Sequence, residues 1–260
     1  MAEFIDEEMQ GSRFEHVNLT GARFEHVDLS RAEFHNVDLS DTIIRNADLV
    51  NVEISGQVEN VRINDVDVVP LIEAELDRRY PERAKLRPSD ADGFREAWAV
   101  IEQLWPPTVD RARRLAPELL HERVDGEWSF IETLRHLVFA TDAWVKRAFL
   151  GDPSPYDALD LPHTEMGDVP GVPNDPDARP TLDEALALRA DRMAVVREVL
   201  AGLTDEVLAG ATEPNPAAGY PAPDSYQVRR CLQAVVNEEW AHRLYAERDL
   251  AALEAHQIRR

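Results

Sequence analysis

The sequence predicts a two-part chain: a stack of five-residue repeats, then an all-helical bundle of four helices. Three observations predict it. Apolar residues recur at every fifth position early in the chain, a spacing that suits neither an α-helix nor a β-strand. From Asp90 onward the spacing turns helical, and all five tryptophans (Trp98, Trp105, Trp128, Trp144, Trp240) fall there. Four segments in that part are long enough for bundle helices, and two open on a capping signature.

The repeat spans residues 12–69. Its tiles read SRFEH VNLTG ARFEH VDLSR AEFHN VDLSD TIIRN ADLVN VEISG. The middle position holds Phe14, Leu19, Phe24, Leu29, Phe34, Leu39, Ile44, Leu49 and Ile54, and a small or β-branched residue usually lies two positions earlier. After Gly56 the register slips by one and resumes at Val58, Ile63 and Val68. The pattern resembles the pentapeptide-repeat family, A(D/N)LXX, over about a fifth of the chain. That resemblance implies a short right-handed quadrilateral β-helix, four pentads to a coil and roughly three coils in all. It turns the central residues inward, Phe14, Phe24 and Phe34 among them. His16 and His26 then fall on opposite faces and read as solvated side chains rather than a metal pair.

Residues 70–90 read as a linker. Leu71 to Tyr80 suits a short amphipathic helix, which Pro81 and Pro88 end. The bundle is expected over 91–255. Its first helix runs from Ala91 to Leu115, interrupted at Pro106-Pro107. The second opens at SFIE, with Ser129 as N-cap and Glu132 closing a capping box, and stops at Gly151. The third opens at TLDE, Thr181 with Glu184, and ends near Leu203. The fourth starts at Asp224 or Ser225 and ends near Ala255. A Pro-rich loop of about thirty residues separates helices two and three, a length that marks a functional or disordered segment.

Composition excludes several roles. The formal net charge is −22, which repels phosphate backbones at long range, so nucleic acid is not expected as a partner. No uncharged apolar run reaches membrane-spanning length. The acidic start MAEFIDEEMQ lacks the basic region of a signal peptide. The single cysteine, Cys231, allows no internal disulfide and fits a reducing cytoplasm.

The candidate chemistry lies on helix four. Cys231, Val235, Glu238, His242 and Tyr245 follow one another at steps of three and four, so they share a stripe. Glu238 and His242 stand one turn apart. A buried carboxylate costs several kcal/mol, roughly, unless it is paired or bound to a cation. A hydrogen bond to His242 is one way to meet that cost, and from this helix alone it is the simpler reading. Helix two adds His136, on the edge of an apolar face and beside the small residues Thr133, Ala140 and Ala143. Alone it reads as a satisfied core histidine. Together, His136, Glu238 and His242 make two imidazoles and a carboxylate, the set of a catalytic zinc site with one open position or of the non-haem iron facial triad.

The segments GEWSFIETLRHLVFATDAWVKRAFLG and NEEWAHRLYAERDL resemble the DinB/YfiT-like four-helix-bundle metalloproteins over about 91–255. Most of that family uses one histidine on the second helix and an HxxxH pair on a later one. Here Glu238 replaces the first histidine of the pair. The mycothiol-dependent maleylpyruvate isomerase branch shows the same departure and binds zinc through His, Glu and His. The resemblance implies His136, Glu238 and His242 as ligands of a divalent metal, zinc first, with iron and nickel as the other candidates. It implies a low-molecular-weight thiol, such as mycothiol or bacillithiol, that attacks a small electrophile. The expected function is therefore a metal-dependent thiol transferase or isomerase. Glu239, Tyr245 and His163 are candidates around the ligands.

Two alternatives stand beside that expectation. One is hydrolysis by metal-activated water on the same scaffold. The other is a non-enzymatic protein whose repeat imitates DNA, although three coils are short for that and the charge is spread over both parts. The repeat otherwise reads as a platform that covers the bundle or joins two copies in a homodimer.

Overall fold

In the computed structural model, the described residues are 3–56, 58–164 and 166–258. The chain divides into two units between Val52 and Glu53. No helix among the described residues is long and apolar enough to cross a membrane.

In the first unit the five-residue period is a period of the backbone. The last residue of each tile has positive φ: His16, Gly21, His26, Arg31, Asn36, Asp41, Asn46 and Asn51, with Gly11 just before the first tile, lie between 51° and 75°, and Gly56 is at 133°. Gly, Asn, Asp and His are the residues that enter the left-handed region most readily. His16 and His26 thus hold bend positions and are exposed. The Asp or Asn in alternate tiles builds a local turn: the Asn18, Asp28 and Asp38 carboxyl or amide oxygens accept from the backbone N–H of Thr20, Ser30 and Ser40 at 2.8–2.9 Å. The Ser30 and Ser40 hydroxyls, and then these backbone bonds, hold the Asp28 and Asp38 carboxyls below the usual carboxylate range.

The inward orientation expected of the tile centres is corrected. Phe14, Phe24 and Phe34 are 58 %, 62 % and 60 % exposed, and no strand occurs among residues 3–52. A pentad has no core of its own; only a coil above and a coil below can cover its central residue. Nine tiles, at four to a coil, give little more than two coils, so most tile centres would lie in an end layer.

The resumed register is also replaced. The slip expected after Gly56 falls on Gln57, outside the described residues. Beyond it, β1 (Arg62–Ile63) and β2 (Val66–Asp67) form an antiparallel hairpin. Asn64 and Asp65 turn it with φ of 48° and 63°, the double left-handed geometry that closes two-residue hairpins. Helix α1 (Val69–Arg79) follows, with Pro70 in its first turn. A 3₁₀ turn, Pro81–Leu86, is tied back to α1 by Arg83, which reaches Glu73 at 2.7 Å and Asp77 at 2.9 Å.

The bundle is built from α2 (Ala91–Ala112), α3 (Phe130–Thr141), α4 (Leu182–Gly202) and α6 (Val228–Ile258), with a one-turn α5 (Asp205–Leu208) between the last two. Helix α3 packs on α4 and α6, and α2 on α6 and α4. Phe94, Ile101, Trp105, Ile131, Leu134, Leu137, Leu232 and Val235 fill the space between them. Both capping boxes form, at Ser129–Glu132 and Thr181–Glu184.

Helix α2 runs through Pro106 and Pro107 rather than breaking there. Both prolines and Gln103 in the preceding turn are exposed, and Glu102 is half-buried. Water can bond the carbonyls that lose an N–H, so the helix continues. Helix α3 passes directly into a π-helical stretch, Asp142–Phe149. Its bonds span five residues, as from Leu150 N to the Val145 carbonyl at 2.9 Å. That wider turn shifts the side chains after Thr141 relative to an unbroken α-helix.

These burial differences set opposite expectations for two phenylalanines. Phe24→Ala should leave the unfolding midpoint of the chain unchanged. Phe94→Ala, at a site with 0 % exposure, should cost about 3–5 kcal/mol. Denaturant unfolding followed by tryptophan fluorescence checks both.

Candidate metal centre

Every residue of α3 is buried. The polar side chains enclosed with it find partners, as buried polar groups must. Glu132 meets Arg123 at 2.6 Å. Arg135 donates to the carbonyls of Leu159 at 2.8 Å, Asp175 at 2.6 Å and Ala178 at 3.4 Å. His136 Nδ1 lies 2.9 Å from the Leu161 carbonyl oxygen. A carbonyl can only accept, so Nδ1 carries the proton and Nε2 is left with its lone pair.

Helix α6 brings Glu238 and His242 to that lone pair. The Glu238 Oε2 atom is 2.9 Å from His242 Nε2 and 3.3 Å from His136 Nε2. One ligand atom from each of the three lies within 4.8 Å of the others. Burial lowers the His136 pKa, so the ring is neutral. Burial also works to raise the Glu238 carboxyl; with His136 presenting a lone pair, the hydrogen bond from His242 Nε2 is what works against it. A neutral imidazole lone pair therefore faces an ionised carboxylate. Two acceptors at that distance repel each other unless a proton or a cation lies between them. A divalent cation satisfies all three residues at once, so the donor set fits a metal.

The surroundings shape access. The Trp128 ring lies 4.4 Å from the His136 ring and stacks on His242 at 5.6 Å. Tyr245 meets His242 edge-on at 5.7 Å. The Glu238 side chain is 37 % exposed, so the carboxylate side is open to solvent. Glu239 points away from the three, as its position on the helix requires. It is buried in an ion pair with Arg189, whose guanidinium lies 4.3 Å above the Trp105 ring. His163 is not among the three either. It packs edge-on against Tyr220 at 5.6 Å. Cys231 is fully buried, which pushes its thiol up to about 11.

Two buried arginines gather the long loops around the site. Arg135 holds the loop before α4, as above. Arg147 donates to the carbonyls of Asn215 at 3.2 Å, Ala217 at 2.5 Å and Pro221 at 3.1 Å, in the loop before α6. Gly219 makes that approach feasible: a Cβ there would lie 2.8 Å from Tyr156 Oη and 3.1 Å from Arg147. Between the two contacts that fix Leu159 and Leu161, Asp160 is fully buried, and neither of its carboxyl oxygens has a conventional donor among the described residues. Its neighbour is the Asp142 carboxyl, which Arg192 grips at 2.7 and 2.8 Å. Burial pushes the Asp160 carboxyl up to about 9, with Asp142 adding to the rise. Burial raises the Asp142 carboxyl too, against the pull of Arg192, and the two carboxyls are close enough to titrate as a pair.

Residues 100–246, more than half of the chain, match the family described as the DinB superfamily. Residues 8–46 match eight copies of the pentapeptide repeat. No curated protein and no solved structure matches the chain.

The Asp160 carboxyl sets a pH dependence. Its folded-state pKa is raised, so between about pH 4 and pH 9 the folded chain keeps a proton that the unfolded chain has released. Its contribution to stability is largest in acid and is lost as pH rises through that window. Asp160→Asn, which keeps the shape and stays neutral, should melt above wild type at pH 8, and the gain should shrink toward pH 4. Melting curves that stay parallel across this range would contradict the assignment.

Proposed function

This chain belongs to the DinB superfamily, and we propose that it is a metal-dependent transferase or isomerase acting through a low-molecular-weight thiol of the mycothiol type. His136, Glu238 and His242 would hold the cation, and zinc suits two imidazoles and one carboxylate. One observation carries this reading: the only proton of a neutral His136 is committed to the Leu161 carbonyl, and its other nitrogen is aimed at an ionised carboxylate. A divalent cation held by three protein groups lowers the pKa of a thiol at its open position and so raises the thiolate fraction.

The protein's own contribution is electrostatic and steric. Glu238 supplies one negative charge, so a dication there keeps a net charge of one. The Leu161 carbonyl keeps His136 in the tautomer that presents Nε2. Trp128 covers both imidazoles and keeps water from that side, while the exposed side of Glu238 leaves an approach for thiol and electrophile. A reducing cytoplasm suits such a reaction, because it keeps the thiol available.

Glu238 separates the outcomes. Glu238→Gln removes the charge and the preferred oxygen ligand, so zinc affinity and thiol conjugation should fall together, by about tenfold or more. Loss of even an outer-sphere partner has roughly that effect. Glu238→His should retain zinc, because it restores a three-nitrogen set. The assay is conjugate formation between a small thiol and chlorodinitrobenzene, beside zinc content by plasma mass spectrometry. Equal rates in wild type, Glu238→Gln and metal-stripped protein reject the transferase reading. Turnover of simple esters with no thiol present would favour a hydrolase instead.

A further inference from the structure

The two imidazoles of the metal set are held in different ways. The His136 nitrogen that faces away from Glu238 is hydrogen-bonded to the Leu161 carbonyl at 2.9 Å. A histidine that ligates a metal usually has such a partner, which fixes the rotation of its ring. His242 differs. Its Nε2 faces Glu238 at 2.9 Å, and its Nδ1 has no hydrogen-bond partner among the described residues. Only 16 % of the side chain is exposed, and the neighbours that enclose it are aromatic. The Trp128 ring lies 5.6 Å away and 21° from parallel. The Tyr245 ring lies 5.7 Å away at 85°.

Trp128 is itself fixed by the backbone on both sides of it. Before it, Glu127 N–H donates to the Val124 carbonyl at 2.9 Å and closes a tight turn, with Asp125 and Gly126 at φ of 51° and 80°. After it comes Ser129, the N-cap of α3, whose N–H donates to Glu132 Oε2 at 2.8 Å in the capping box. The same Glu132 carboxylate takes Arg123 at 2.6 Å. One buried carboxylate thus ties both ends of the segment 123–129 to the first turn of α3. The indole is thereby set against two rings at once, His136 at 4.4 Å and His242 at 5.6 Å.

We propose that Trp128 is a positioning residue for the metal: its flat face sets the rotation of the His242 ring, with Tyr245 as a second wall, and so does for His242 what the Leu161 carbonyl does for His136. This rests on the metal reading of the site and not on the thiol. An imidazole bonds a metal through a lone pair in the plane of its ring, so the rotation of the ring decides whether that lone pair meets the ion. Stacking fixes the plane without placing an acceptor on Nδ1. His242 therefore does not gain the basicity that such an acceptor gives, and the ion keeps more of its pull at the open position.

The test reads cobalt(II) on the full chain, by its visible d–d absorption and by competition with a chelator, with no thiol or substrate present. Trp128→Phe keeps a flat ring and should retain the wild-type spectrum and an affinity close to wild type. Trp128→Leu fills part of the same space without a flat face. It should bind cobalt about tenfold or more weakly, the usual effect of losing a group that orients a ligand, and its spectrum should change. Tyr245→Leu, at a site already 37 % exposed, makes little demand on folding and should weaken binding in the same direction. A spectrum and affinity equal to wild type in either leucine variant, or a Trp128→Phe no better than Trp128→Leu, overturns the positioning role and leaves the metal reading intact. A wild type that binds no cobalt overturns both.

Discussion

The hydrogen bond from His136 Nδ1 to the Leu161 carbonyl is the constraint on which the candidate site depends. Without it the imidazole could carry its proton on Nε2, donate to Glu238, and form an ordinary buried pair. With it, Nε2 has only a lone pair to offer, and the carboxylate opposite has a second imidazole to hold it ionised. The same bond couples the centre to a loop residue about twenty-five positions further along the chain. The site is therefore only as ordered as that loop.

The rest of the bundle keeps the loop in place. Arg135 takes the carbonyl two residues before Leu161, and Asp160 is pressed against Asp142 and Arg192 between them. These contacts sit on consecutive turns of α3 and its π-helical continuation, so one rigid element sets both the ligand and the loop that orients it. Arg147, three turns beyond Arg135, does the same for the second loop and brings Tyr220 against Phe139. Bonding loop backbones to buried guanidinium groups suits an acidic chain. A carbonyl accepts from an arginine without adding another negative charge, and a buried arginine so satisfied does not draw carboxylates into the cleft.

Much of this was legible in the sequence where it followed from local rules. The capping boxes at Ser129 and Thr181 depend on four residues each and form in the structure. The stripe of α6 needs only helical spacing to put Glu238 and His242 on one side and Glu239 on another. What was not legible depends on distant backbone. No periodicity shows that the Leu161 carbonyl meets His136, because a carbonyl has no residue type to signal it. Trp128 was visible as the residue before the N-cap, but its contact with both histidines follows from how α3 and α6 cross. Pro106 and Pro107 misled because their effect depends on which side of α2 faces water. The five-residue period was visible too, yet it tracked left-handed backbone at the ends of the tiles, and the inward Phe14, Phe24 and Phe34 did not follow from it.

X-ray absorption at the zinc edge of zinc-loaded protein, compared with His136→Ala, tests the central claim most directly. The account predicts one zinc per chain with nitrogen and oxygen ligands at about 2.0–2.2 Å, no sulfur contribution in the absence of thiol, and scattering from two imidazole rings. The variant should lose one of the two imidazole contributions or lose the metal. A sub-stoichiometric zinc content in wild type, or a spectrum unchanged by removal of His136, would contradict it.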